Sequence, residues 1–403
     1  MRAFLASLAL FASTSAVAQE GEEPVVDQGV GGALQSWSSV PVLPEDKRQT
    51  GSLHVWGQLQ TWATVLDQDE AVQADPATYG DPEADPGFTI ARARFGIDGF
   101  LPLGDRSCCG QVDYAVSVGL GAPYDVLSSS DSDLQIVDAF ARWANVYDFG
   151  TTSLAAGVQR VPFSRDAMTS SARLVFQERA VGTAWLVPGR DAGAVFGQSL
   201  AFSDAPSGAQ LLVRGGLFNG NGDLFGDSDP GLMASVRAEF LMGEAYQTWS
   251  QDLEPALGVG GSMLSDRELA TVTRSSEADL LARYKWVTVS GELVTSVIEP
   301  RNSDVVAPEV LLKTSRIGWH GQLSVFVPFS RGGLEVAGRY ATLDDDRQLD
   351  NLGDVQILHA GATWRDALPS FDLGAGYIHR AESPGFDNDT VRLWMQVRPS
   401  RSL

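Results

Sequence analysis

Between residues 51 and 398 apolar and polar residues alternate in short stretches, sixteen in all, the first near 51–66 and the last near 388–398. Successive side chains of a strand point to opposite faces, so each stretch predicts a β-strand with one apolar and one polar side. Thr89 to Leu101 shows the rule: Ala91, Ala93, Phe95, Ile97 and Leu101 fall on one face, and Arg92, Arg94, Gly96 and Asp98 on the other. A soluble sandwich turns its apolar face inward. A membrane barrel turns it towards lipid and lines a wet lumen with charge. The connections follow a second alternation. Asp148-Phe149-Gly150, Lys285-Trp286-Val287, Pro328 to Arg331 and Asp366 to Pro369 are short, with the stretch after Met242 as the exception, whereas 67–87, 161–189, 219–230, 299–313 and 343–353 are long. Short periplasmic turns and long extracellular loops are the mark of an all-β, 16-stranded antiparallel transmembrane β-barrel. Trp143, Phe202, Phe240, Tyr284 and Trp286 fall on the lipid parity near the periplasmic ends of even-numbered strands, as an aromatic girdle requires.

The N-terminus predicts export. Met1-Arg2 is a positive start, Ala3 to Ala12 an apolar run, and Ala16-Val17-Ala18 a small-x-small cleavage site, so residues 1–18 read as a signal peptide. The apolar run is well short of the ~20 residues that cross a bilayer. Residues 19–50 are acidic and without period, which predicts a flexible periplasmic segment, or one that tucks into the barrel mouth, ahead of the barrel domain at 51–398. Cys108 and Cys109 are adjacent in a short turn, where a vicinal disulfide and two free thiols are both open readings.

The formal net charge of -22 says little about a pore until the charges are sorted by face. Much of the acidity falls in outer loops: Asp67, Asp69, Glu70, Asp75, Asp81, Glu83 and Asp85, then Asp223, Asp227 and Asp229, then Asp344-Asp345-Asp346 and Asp350. A solvated acidic surface is the plain reading, and bridging of lipopolysaccharide through divalent cations the sharper one. On the inward parity stand Arg92, Arg94, Arg142, Arg214, Arg237, Arg283, Lys285, Arg316, Arg339, Arg380 and Arg392. Against them stand Asp98, Asp113, Asp138, Asp191, Glu239, Asp279, Glu292, Glu335 and Asp372, so the lining is close to neutral, with pairs such as Arg237–Glu239 and Arg339–Glu335 expected. Inward glycines, among them Gly96, Gly193, Gly216 and Gly318, argue for an open lumen and against a sealed barrel.

An enzyme is disfavoured. The histidines His54, His320, His359 and His379 lie on different strands at no metal-ligand spacing, His320 on the lumen parity and His359 and His379 on the lipid one. The sequence has no G-x-S-x-G or H-E-x-x-H motif and no phosphate-cradling glycine loop. No catalytic residue, metal or cofactor is implied, and nothing points to nucleic acid.

Arg160-Val161-Pro162-Phe163-Ser164-Arg165, Met168-Thr169-Ser170-Ser171, Phe176, Glu178-Arg179 and Pro188-Gly189-Arg190-Asp191-Ala192-Gly193 together resemble a run typical of the phosphate-selective porin O and P family. Gly216 to Gly222, Arg237, and the arginine-bearing stretch Phe88 to Gly96 resemble further parts of it. The resemblance implies an outer-membrane porin, a homotrimer whose third outer loop, here 161–189, folds inward and narrows the channel. Arg165, Arg173 and Arg179 then become constriction or anion-binding candidates, with Arg92 and Arg94 on the wall opposite and Arg214, Arg237, Arg283, Arg316 and Arg339 further along the lumen. Arginine suits this work because its planar fork grips phosphate oxygens and keeps its charge. Two departures stand out: the chain has only three lysines, Lys47, Lys285 and Lys313, and its last strand is followed by Pro399 to Leu403 where an aromatic end is usual. The expected function is passive diffusion of small hydrophilic solutes through the bacterial outer membrane, with a preference for inorganic anions such as phosphate. The expected surroundings are lipid and lipopolysaccharide. Unselective or cation-preferring diffusion is the alternative, and a sealed structural or enzymatic barrel a remoter one.

Overall fold

A strand with one apolar face cannot stand alone in lipid, because its unpaired backbone groups have no water to bond, and only a closed sheet satisfies them all. The computed structural model of the chain solves the problem that way. It describes residues 51–68, 87–103, 110–121, 134–147, 149–202, 208–220, 231–243, 245, 254–301, 313–349, 354–383 and 385–402. The signal peptide, the 19–50 segment, Cys108 and Cys109, and most of the loop acids lie outside these residues.

Sixteen long antiparallel strands run in chain order: β1 (Ser52–Gln68), β2 (Gly87–Pro102), β3 (Gln111–Gly121), β4 (Gln135–Tyr147), β5 (Gly150–Arg160), β6 (Arg190–Ala201), β7 (Ala209–Phe218) and β8 (Met233–Met242), then β9 (Ala256–Arg267), β10 (Thr271–Tyr284), β11 (Val287–Pro300), β12 (Thr314–Pro328), β13 (Gly333–Asp344), β14 (Val355–Leu368), β15 (Phe371–Glu382) and β16 (Phe386–Val397). Each strand pairs with its neighbours in sequence, and β16 returns to pair with β1 from Leu59↔Val397 to Gln68↔Asn388, which closes the barrel. A three-residue β17 (Ser400–Ser402) continues past Pro399 against His54–Trp56 of β1. Two outer turns are shorter than the sequence pattern suggests, 268–270 and 383–385, and the stretch after Met242 is long on the other side.

The two faces sort as alternation requires. Phe95, Phe196, Leu217, Val236, Leu293 and Leu393 are exposed on the outside, while Arg94, Arg214, Arg237, Glu292 and Arg392 are buried within. The girdle residues Trp143, Phe202, Phe240, Tyr284 and Trp286 are all exposed. Three register details differ from expectation. Ala91 does not face lipid: the pairing slips between Gln60 and Thr61, and the resulting bulge turns Ala91 into the interior beside Trp62 and Trp394. In β14 the odd positions face inward, so His359 is buried under the ring of Phe176 at 3.9 Å and Arg365 joins the lumen side. Lys285 sits in the β10–β11 turn with a positive φ of 52° and is exposed.

Candidate channel constriction

The stretch from Val161 to Gly189 enters the barrel and stays there. It is too short of regular structure to satisfy itself: a single turn α1 (Arg165–Met168), a 3-10 turn at Ser171–Arg173 and a six-residue α2 (Val181–Leu186) are its only helical pieces. Apolar side chains hold it first. Val161, Phe163, Ala180, Val181 and Leu186 pack with Val195, Phe218, Met233, Leu264, Val294, Ala341 and Leu343 into an apolar core inside the barrel. Full burial of one such side chain is worth ~1.5–3 kcal/mol. α2 comes so near the wall that a Cβ on Gly318 of β12 would stand 2.6 Å from Cα of Gly182, and glycine at both positions permits the approach.

Two polar anchors complete the attachment. On the β7–β11 wall, side chains of the loop reach outward to carboxylates. Arg165 Nε lies 2.5 Å from Asp279, and its Nη2 is 3.5 Å from Glu239. Ser164 Oγ caps α1 by accepting from Ala167 N–H at 3.0 Å and donates to Glu292 at 2.8 Å. Thr183 Oγ1 and the backbone N–H of Asp166 also donate to Glu292, at 2.9 and 3.2 Å. Arg237, 1% exposed, joins the parts: it donates to Phe163 O at 2.8 Å, Ser262 Oγ at 2.9 Å, Glu277 at 2.8 Å and Glu239 at 2.9 Å, and also pairs with Asp279. Arg214 pairs with Glu239 beside it. Charges so deeply placed persist only when paired and hydrogen-bonded.

On the other side the direction is reversed, and wall side chains reach inward to the backbone of the loop. Arg92 Nη1 donates to Gln177 O at 2.8 Å and to Gln60 at 2.6 Å. Arg339 donates to Glu178 O at 2.8 Å and to Arg179 O at 3.4 Å. Arg365 Nη2 donates to Leu174 O and Val175 O, both at 2.9 Å, while Glu335 and Asp372 balance its charge at 2.6 and 3.4 Å. Gln396 donates to Ala172 O at 3.1 Å, and Arg392 pairs with the Glu178 side chain at 2.9 Å.

The arginines singled out in the sequence are thus brought together, but not as a ring around an empty eyelet. Arg92 and Arg94 are not across the lumen from the loop. They lie against it, Arg94 donating to Ser171 Oγ at 2.8 Å. Arg179 folds back on its own loop, donating to Asp166 O at 3.1 Å and Thr169 O at 2.7 Å. Arg173 is half-buried in the 3-10 turn. Arg283 donates to Thr288 at 3.3 Å and Arg316 to Asp345 O at 3.2 Å. The expected Arg237–Glu239 pair forms, whereas Glu335 pairs with Arg365 and leaves Arg339 to the loop carbonyls. Arg365 was missed because Val355 and Ile357 make the odd face of β14 look like the lipid one. Its one visible signal is that a charge at 365 needs the lumen.

The comparisons bear on the barrel and on the loop motif. Residues 69–247 match the model of a family described as phosphate-selective porin O and P, the family that the loop motif resembles. A search of curated protein sequences finds no match. Among solved structures the chain is similar to in-vitro folded OmpT of Vibrio cholerae in its trimer form, at 12% identity and a TM-score of 0.53, covering 87% of this chain and 100% of that one. It is similar to an anion-selective porin from Comamonas acidovorans at 13% identity and a TM-score of 0.52, covering 87% and 100%. The channel DcaP of Acinetobacter baumannii gives 13% identity and a TM-score of 0.51, covering 87% and 97%. At such identities the likeness speaks for the fold. Together with the family match and the closed barrel, it identifies a porin-type channel of a bacterial outer membrane.

Proposed function

Taking the likeness to phosphate-selective porins O and P as premise, we propose that the chain is a passive diffusion channel for small hydrophilic solutes, narrowed by residues 161–189 and mildly preferring inorganic anions such as phosphate. One observation supports the reading: a loop bearing Arg165, Arg173 and Arg179 lies inside the barrel, with Arg92 and Arg94 of β2 against it, so guanidinium groups are gathered in the interior. The chain is exported through a signal peptide at residues 1–18, carries its 19–50 segment on the periplasmic side and sits among lipid and lipopolysaccharide. It works by diffusion and not by catalysis. A homotrimer fits, as one of the similar structures is a trimer form.

A second reading, unselective diffusion, has its own observation. Arg92, Arg94, Arg165 and Arg179 each donate to loop or wall groups, and a guanidinium so engaged offers less to a passing anion. The reversal potential of the purified protein in a planar bilayer under a KCl gradient, repeated with added phosphate, separates the two. Chloride selectivity with block by phosphate, weakened in Arg173→Ala, supports the first. Unselective or cation-selective current removes phosphate from the assignment, and no current at all removes the channel.

A further inference from the structure

The carbonyl groups of the segment from Leu174 to Arg179 have no sheet or helix to receive them. Backbone acceptors withdrawn from water need donors, and each buried one left without a partner costs ~1–3 kcal/mol. Five of the six are met, and every donor is a wall arginine: Arg365 on β14 for Leu174 and Val175, Arg92 on β2 for Gln177, and Arg339 on β13 for Glu178 and Arg179. The three guanidinium groups stand along one arc of the wall, Arg339 and Arg365 on the paired strands β13 and β14 and Arg92 four strands further round on β2, so the segment is held along that arc at three points. The ring of Phe176 fills the gap between, with the Arg339 guanidinium carbon 4.9 Å from its centre and His359 on one face.

Resting on the channel reading above, we infer that Arg92, Arg339 and Arg365 are positioning residues of the constriction, a cradle that sets how far the 174–179 segment stands from the wall and so the width of the passage. The assignment gives Arg92 and Arg339 a task other than meeting solute. It also makes the width chiefly a property of the wall, since the hydrogen bonds of these three arginines to the segment go to its backbone, while Phe176 packs between them and Glu178 pairs with Arg392. Arg365 is the sharpest test: it is 1% exposed, its charge is matched by Glu335 and Asp372, and it lends the segment two bonds from one nitrogen. Lysine keeps the charge there but not the fork, so its single nitrogen cannot replace Nε on Glu335 and Nη1 on Asp372 as well as Nη2 on both carbonyls.

Single-channel recording of the wild type, Arg365→Lys and Arg365→Gln tests the cradle, with heat-modifiable gel mobility reporting that each barrel is closed. The expected result is a conductance about twofold larger and a noisier open level in Arg365→Gln, as a loop released from one tether samples wider positions, with Arg365→Lys between the two. An unchanged conductance and noise in a closed Arg365→Gln barrel overturns the inference. If that variant does not close, Gln396→Leu, which removes the donor to Ala172 O, carries the same expectation. If the wild type passes no current, the channel reading fails separately. Hydrogen exchange of the 172–180 peptide then decides the cradle: faster exchange in Arg365→Gln supports it, and equal exchange overturns it.

Discussion

The two anchors of the inward loop use opposite grammars. On the β7–β11 side the loop contributes chiefly its own side chains, Ser164, Arg165 and Thr183, to wall acids, and a single carbonyl, Phe163 O, to Arg237. On the β2, β13 and β14 side the loop contributes carbonyl groups and the wall supplies arginines. The first kind is written in the loop's sequence and fails when the loop is substituted. The second is written in strands as much as 191 residues away and rests chiefly on the loop's backbone, with Ser171 and Glu178 the loop side chains that join it through Arg94 and Arg392.

The largest effect is expected at the junction of the first anchor. Arg237→Met leaves Glu277, Asp279 and Glu239 facing one another without their shared cation, which should lower unfolding stability in detergent by roughly 3–5 kcal/mol. A melt matching the wild type would show that Arg165 and Arg214 can hold those acids alone. Next comes Gly318→Ala, where the new Cβ meets α2 at backbone that has no flexible end to move. Overpacking of this kind costs ~1–3 kcal/mol, and conductance should change with it because α2 must shift.

Thr183→Val removes one of three donors to Glu292 and should cost about 1 kcal/mol. Val175→Ala, by contrast, keeps its carbonyl bond to Arg365, so it should lower stability through packing and leave conductance unchanged. If recordings show the two variants altering the channel alike, the division between side-chain and backbone anchoring is wrong. Smallest of all, Glu299→Gln breaks the exposed Arg274–Glu299–Lys313 ladder on the outer wall, and neither the melting curve nor the conductance should move.

This division also explains what could be read from the chain beforehand. The middle of β8, Ala234-Ser235-Val236-Arg237-Ala238-Glu239-Phe240, alternates without a fault, so Arg237 and Glu239 could be placed inward with their partnership. The inward loop was legible through Pro162-Phe163-Ser164-Arg165, because Phe163 and Ser164 do their work with side chains. β14 was not, since Val355, Ile357, Leu358, Ala360 and Ala362 put apolar residues on both parities and the period of two loses its sign. The bulge at Ala91 escapes for another reason: nothing in the residue itself marks an extra position, which only the pairing of β1 with β2 reveals. A cradle made of carbonyl bonds leaves no trace in the segment it holds, and alternation reports only the face of each arginine, never its partner.

The seam between β16 and β1 joins positions more than three hundred residues apart along the chain, from Leu59↔Val397 to Gln68↔Asn388. Until residues near 386 are available, β1 and the latest strand are both open edges, each a template for pairing with another chain. Shortening the polypeptide therefore should not weaken the molecule by degrees. A version ending before β16 has fifteen strands and no way to seal them, and its fate is aggregation, whereas losing β17 alone removes only the short stitch at His54–Trp56 and leaves the seam whole.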